Sequence, residues 1–270
     1  MGAFNYGSAG VLTGLGLAAR EADVTLTIAA LDLDFEAKGW EIEARRALLH
    51  FKSVQVDGIV LSTPLPDVDK LTADWDQSTP LITVSELPWT DEGSAGTHSH
   101  AAGLEATQHL IGLGHRDIVH VAGPSTRNEA RERERGYRDA MLGAGLVPQV
   151  LHVADDWSSV SGFRAGELAD PARFTGVFAA NDEIALGFMS ALERRGKRAP
   201  EDFSIVGVDD MPAAAYFSPP LTTMRLDFRA LGLATFKMLH HQILTGERAQ
   251  HHVVEPELVV RASTSVARNP

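Results

Sequence analysis

Three kinds of side chain in this sequence could grip a small polar molecule: acids and amides at strand ends, an arginine run on a helix, and a tryptophan in a polar loop. Asp209 and Asp210 close the apolar run Ser204-Ile-Val-Gly-Val208, Asn181 and Asp182 follow Gly176–Ala180, and Ser62 and Ser85 follow two further apolar runs. Two adjacent carboxylates could form an acid–base couple, but neighbouring residues at a strand end point to opposite faces. One then faces a cleft while the other caps a turn, which describes a binding carboxylate. In Arg131-Glu-Arg133-Glu-Arg135, positions two apart diverge by about 200° around a helix axis, so at most one or two guanidiniums turn inward. The others make a solvated, salt-laced face, whereas an inward guanidinium could hold two hydroxyls in a bidentate manner. Trp157, within Asp155-Asp-Trp-Ser-Ser-Val-Ser-Gly-Phe163, is either a loop anchor or a stacking platform for a pyranose face, and both readings stay open.

Other chemistries find less support. No GxSxG elbow, P-loop or HExxH pattern occurs. His240-His241, His251-His252 and the pair His98 and His100 invite a metal, but no carboxylate or further histidine stands at ligand spacing. They read as surface histidines, and neither metal nor cofactor is expected. Gly14-Leu-Gly16-Leu-Ala-Ala19 fits the GxGxxA dinucleotide pattern, with Asp32 and Asp34 downstream. That fingerprint needs a strand directly before its glycines, yet Ser8–Thr13 already has helical spacing. Small residues on a helix packed close to a sheet explain it better, and a dinucleotide-dependent enzyme is a rival resting on this run alone. The absence of cysteine excludes disulfides, thiolate zinc sites and a cysteine nucleophile. A formal net charge of −12 repels phosphate backbones. Without an export segment or an apolar run of about 18 residues, a cytoplasmic protein that engages no membrane is expected.

The elements that must position these groups alternate between strand and helix. Strands are predicted at 24–29, 56–61, 81–84, 118–121, 176–180, 204–208, 253–254 and 258–260. Helices are predicted at about 9–21, 40–51, 102–113, 129–144, 162–168, 183–195 and 231–244, four of them stopped by Gly114, Gly145, Gly196 and Gly246. Strands apolar throughout, separated by helices, define an α/β protein with doubly wound parallel sheets. Nine or so strands exceed one ordinary open sheet, so two lobes are expected, with ligands beyond the carboxyl ends of the strands. The chain enters its first helix with no clear strand before it; either a leading strand is lost or Gly2–Tyr6 is its remnant.

Taken together, several segments resemble the effector-binding core of the lac-repressor (LacI) family, which shares its fold with periplasmic sugar-binding proteins. They are Gln108–His115, Val121-Ala-Gly-Pro124, Ala130–Arg133 with Gly136-Tyr137, Phe178–Gly187, Pro200–Asp210, Ser218-Pro-Pro-Leu-Thr-Thr223 and Pro256–Arg261. The resemblance implies a type I periplasmic-binding-protein-like fold with three crossovers: 1–96 plus 226–256 form an N-terminal lobe, 97–225 plus 257–270 a C-terminal lobe. It assigns sugar contacts to Arg133, Asn181 and Asp209. Asp156-Trp-Ser-x-x-Ser-Gly-Phe163 is close to family members whose tryptophan packs against a galactoside, which suggests Trp157. Leu226–Gly232 matches the second crossover and places Phe228 beside the ligand. Phe4 and Asn5 fall where the first loop meets the cleft, and Ser62 ends a neighbouring strand. Ser85 departs from the pattern, standing where relatives often hold an acidic sugar ligand. The function implied is sugar sensing and homodimerisation in a transcription regulator whose lobe closure controls operator binding. The family's helix-turn-helix headpiece has no counterpart upstream of Met1, so DNA contact is expected only through a headpiece missing here. A secreted or periplasmic sugar-binding protein is the alternative.

Overall fold

The computed structural model describes residues 6–31, 39–62, 72, 75, 78–85 and 93–267. Two compact units emerge, residues 1–97 with 227–254 and residues 98–226 with 255–270, so the chain passes between them three times. In chain order the first unit contributes α1 (Tyr6–Glu21), α2 (Trp40–Ser53), β1 (Ile59–Ser62), β2 (Leu81–Val84) and β3 (Ser94–Thr97). The second then runs α3 (Ser99–Gly112), β4 (Ile118–Val121), α4 (Asn128–Gly143), β5 (Gln149–Leu151) and α5 (Ser159–Leu168). It continues with β6 (Gly176–Ala179), α6 (Asp182–Arg194), β7 (Ser204–Asp209) and β8 (Thr222–Arg225). The first unit is completed by α7 (Phe228–Thr245) and β9 (His252–Val254), and β10 (Glu257–Val259) belongs to the second. Short 3-10 helices lie at Pro171–Arg173 and Pro212–Tyr216.

The first unit's sheet has the order β1-β2-β3-β9, all parallel. The second unit's sheet runs β10-β8-β7-β6-β4-β5, parallel except for β10 against β8. Every residue of β4, β6 and β7 is buried, as expected where helices cover both faces. The doubly wound α/β architecture expected from the alternation is therefore present.

Three strands carry no sequence signal. β3 is Ser-Ala-Gly-Thr, without a β-branched or aromatic run, and is a strand because β2 and β9 bond it from both sides. β5 and β8 are likewise absent from the predicted pattern. The opposite error falls at 24–29, which forms no ladder; Val24, Leu26 and Ile28 are 41%, 39% and 55% exposed. Strand propensity expresses fit to a half-buried pleated surface, and no described strand pairs with this run. The predicted helix at 9–21 begins earlier, at Tyr6. Gly114, Gly145, Gly196 and Gly246 do end their helices, all at positive φ.

Helices dock in pairs through reciprocal glycines. A Cβ on Gly103 of α3 would collide with the carbonyl oxygen of Arg133 on α4, and one on Gly136 of α4 with that of His100 on α3. Gly162 of α5 and Gly187 of α6 repeat the arrangement against Ile184 and Ser159. In the first unit, Gly14 of α1 meets Arg229 of α7 while Gly232 of α7 meets Val11 of α1. Gly14 therefore marks close packing, but onto a helix and not the expected sheet. It stands in mid-helix, where no free N–H groups await a pyrophosphate.

Candidate functional site

The parallel strands of the second unit bring Asn181, Asp209 and Asp210 to one end of its sheet, beside the loop that carries Trp157. β4 leads into Gly123, β6 into Ala180 and Asn181, and β7 ends at Asp209 and Asp210, while Trp157 lies in the loop between β5 and α5. Helix α4 packs by its small face on α3, and this decides which arginine turns inward. Arg131 and Arg135 are exposed, whereas Arg133 is 3% exposed. Its Nη1 donates to the carbonyl of Ala180 at 2.7 Å, its Nη2 lies 3.4 Å from Asp209 Oδ1, and its buried Nε has no hydrogen-bond partner among the described residues. Leaving a buried donor unsatisfied costs about 1–3 kcal/mol, and more when the group is charged, so an acceptor placed against this Nε would gain more than one at an exposed donor.

Around this guanidinium the field is crowded with carboxyls. Burial lifts the Asp209 carboxyl to about 6 although Arg133 pulls it down, and burial likewise raises Glu129. Asp182 is raised well above its ordinary value by burial, reinforced by the charge of Asp209. It is pinned by the Met211 N–H at 2.8 Å and the Thr223 hydroxyl at 2.6 Å. Asp209 and Asp210 both take positive φ, 113° and 51°, which for non-glycine residues stores local strain of the kind found at binding sites.

The two aspartates divide the work differently from the sequence expectation. Asp209 turns to Arg133. Asp210 does not cap a turn: it joins Arg225 at 2.8 Å and Arg261 at 2.5 Å, tying β8 and the chain after β10 to the end of β7. Those partners are distant in sequence, and no local pattern announces them.

Trp157 settles partly as an anchor. Its ring packs on the main core cluster and lies 5.3 Å from the Arg133 guanidinium, a cation–π contact. Residue 123 must be glycine for this, because a Cβ there would stand 2.5 Å from the indole. Asn181 is committed as well: its Oδ1 caps α6 by accepting the Ile184 N–H at 2.8 Å, and its Nδ2 donates to the Trp157 carbonyl at 3.2 Å. Asn181 therefore holds the tryptophan loop and leaves only spare hydrogen-bonding capacity for a ligand.

The remaining predicted residues lie in the first unit. Ser62 ends β1 and is exposed. Phe228 opens α7, half-buried, with an edge contact to Tyr6 at 6.1 Å and its ring against Gly7. Ser85, buried, has an Oγ without a hydrogen-bond partner among the described residues. Phe4 and Asn5 fall outside the described residues.

His115 and Ser204 approach to 2.9 Å, but Ser204 is fully buried and the other imidazole nitrogen meets Thr175 instead of a carboxylate. His98 and His100 are half-buried, bonded to Glu255 and Asp139 at 2.7 and 2.8 Å, so they are not the free surface histidines expected. Among the described residues no group of three His, Asp or Glu could hold a metal, and no helix is long and apolar enough to cross a membrane.

A doubly wound unit with a charged donor–acceptor pair at its strand ends defines a periplasmic binding protein-like domain, and residues 107–264 match the family model of that description. The chain belongs to the LacI family of transcription regulators, as its effector-binding core. It is 34% identical over 77% of its length to the HTH-type transcriptional repressor PurR of Vibrio campbellii, covering 64% of that protein. It is 31% identical over 84% of its length to the lactose operon repressor of Escherichia coli, again covering 64%. Among solved structures, the transcriptional regulator CelR in complex with cellobiose superposes with a TM-score of 0.80 at 27% identity, covering 95% of this chain and 79% of that one. The chain thus spans just under two thirds of these two curated relatives, which are transcriptional repressors and not enzymes. The alternative of a secreted carrier gains no support from them.

Proposed function

We propose that this chain senses a sugar, held at the carboxyl ends of the second unit's strands by Arg133, Asp209 and Trp157. The Nε of the buried Arg133, without a hydrogen-bond partner among the described residues, carries the reading. It offers a donor beside the Asp209 carboxylate, and a sugar hydroxyl both accepts and donates, so adjacent hydroxyls can satisfy the pair together. The indole adds an apolar surface suited to a pyranose face. CelR, similar over most of the chain, binds a disaccharide, which supports the same ligand class.

In the complete regulator the sugar acts by binding one of two states better, a coupling of about 1–3 kcal/mol that shifts operator affinity. A homodimer suits this role, because a two-fold protein matches a palindromic operator.

A thermal-shift screen against mono- and disaccharides tests the class. A true effector at about a hundred times its dissociation constant stabilises by about 2.7 kcal/mol. Calorimetry with that sugar on Arg133→Ala and Trp157→Ala then tests the residues. Unchanged affinity in both variants removes the assignment.

A further inference from the structure

A cleft of about 570 Å³ opens in the first unit, where the last turns of α7 face the loop that returns into β9. Six titratable side chains dominate its lining, Lys237, His241, Glu247, Arg248, His251 and His252, with Gln250 beside them. Lys237 and Arg248 are charged against one carboxylate, and three histidines can add to them on protonation, in a chain whose formal net charge is −12 with histidines counted neutral. Lys237 is exposed and has no carboxylate partner among the described residues, while Glu247 stands 3.5 Å from His241.

The loop that shapes the cleft is fixed at both ends. Gly246 ends α7 at φ 73°, and the Gly93 N–H donates to the Ala249 carbonyl at 2.7 Å. His251 Nδ1 lies 2.6 Å from Ser94 Oγ, so that imidazole is oriented by β3. Basic groups converging in a concave, pinned setting raise the local concentration of anions.

The geometry points to a second ligand site in this cleft, for a small molecule carrying phosphate groups. Its volume falls within the range of about 300–1,000 Å³ usual for small-ligand sites. A metal is disfavoured, since the described histidines and acids form no group of three with ligand geometry. A neutral sugar would find no aromatic platform and no buried carboxylate in this lining. The carbonyl end of α7 contributes partial negative charge nearby, so Lys237 and Arg248 must supply the attraction, and a multiply charged phosphate gains most from both. Nucleic acid is a poor occupant because the chain as a whole repels it.

Titration calorimetry of the whole chain with inorganic pyrophosphate at low ionic strength tests the site. Saturable binding with a Kd below about 1 mM is expected. Lys237→Ala and Arg248→Ala should each weaken it about tenfold or more, while Arg133→Met, in the other unit, leaves it unchanged. Both substituted side chains are exposed, so the variants should melt as the parent does, which differential scanning calorimetry checks. No saturable heat, or equal affinity in the Lys237→Ala/Arg248→Ala double variant, overturns the proposal.

Discussion

The two ends of the second unit's sheet are built from similar polar residues with opposite outcomes. At the amino end, His115 is saturated: Nδ1 meets Thr175 at 2.9 Å, and Nε2 meets Ser204 at 2.9 Å and the Ser265 carbonyl at 3.1 Å. The Ser265 N–H returns to Ser204 at 2.9 Å, so the C-terminal segment is stapled beneath β4, β6 and β7. At the carboxyl end, Arg133 keeps an Nε unpartnered among the described residues and a loose 3.4 Å contact to Asp209, and two successive residues sit at positive φ. Closed hydrogen-bond circuits stabilise; incomplete ones in strained backbone are kept where a partner arrives from solution. One end of the sheet is a closed circuit, and the other is where the proposed ligand would complete an open one.

The sharpest way to break this contrast is to exchange the expected losses. His115→Ala should lower stability by about 2–4 kcal/mol in urea titrations, since it opens a cavity, takes the imidazole from Thr175 and removes one of the bonds to Ser204. Sugar affinity in the folded fraction should stay as in the parent. Arg133→Met should do the reverse: affinity falls about 100-fold by calorimetry, while stability moves by no more than about 1 kcal/mol. The stability change is small because Asp209, left alone, takes up a proton. If Arg133→Met unfolds the protein instead, the carboxyl end is as structural as the amino end.

Gly123→Ala is milder. The new Cβ pushes the indole aside, so affinity should drop about tenfold with a shift in Trp157 fluorescence. The smallest expected change concerns pH. An acid raised to about 6 in the fold stabilises when protonated, so the Asp209 contribution is present at pH 4 and lost as pH rises towards and through 6. His115 and His109, both lowered by burial, act with the opposite sign: the unfolded chain binds more protons, so their contribution is lost as pH falls below the ordinary imidazole value. Asp209→Asn removes one limb only, and denaturant midpoints between pH 4 and 7 should tilt towards greater stability at high pH. An unaltered profile means that Asp209 titrates as in the unfolded chain.

How much of this was legible in the sequence depends on how far apart the interacting residues lie. The core strands at 118–121, 176–180 and 204–208 announce themselves because each is apolar along its own length. Asn181 and Asp209 could be placed at strand ends by the same logic. Helical geometry limited the arginines of α4 to one or two inward, and the family resemblance named Arg133; the packing of α3 against α4 supplies the physical reason that it is this one. The partners of Asp210, Arg225 and Arg261, are 15 and 51 residues away, and the acids bonded to His98 and His100 are 157 and 39 away. Such pairs leave no periodic trace. β3 shows the same limit, since Ser-Ala-Gly-Thr is a strand only by virtue of its neighbours, and 24–29 shows its converse.

The reciprocal glycines have a mechanical corollary. Side chains interleaved between helices can swap rotamers and let one cylinder creep along another, whereas peptide backbone lying directly on peptide backbone has no such give. Gly103 abuts the very residue that carries the buried guanidinium, so Arg133 stands on a bearing that resists shear. Whatever rearrangement a bound molecule drives, α3 and α4 should travel as one rigid plate, transmitting displacement instead of absorbing it.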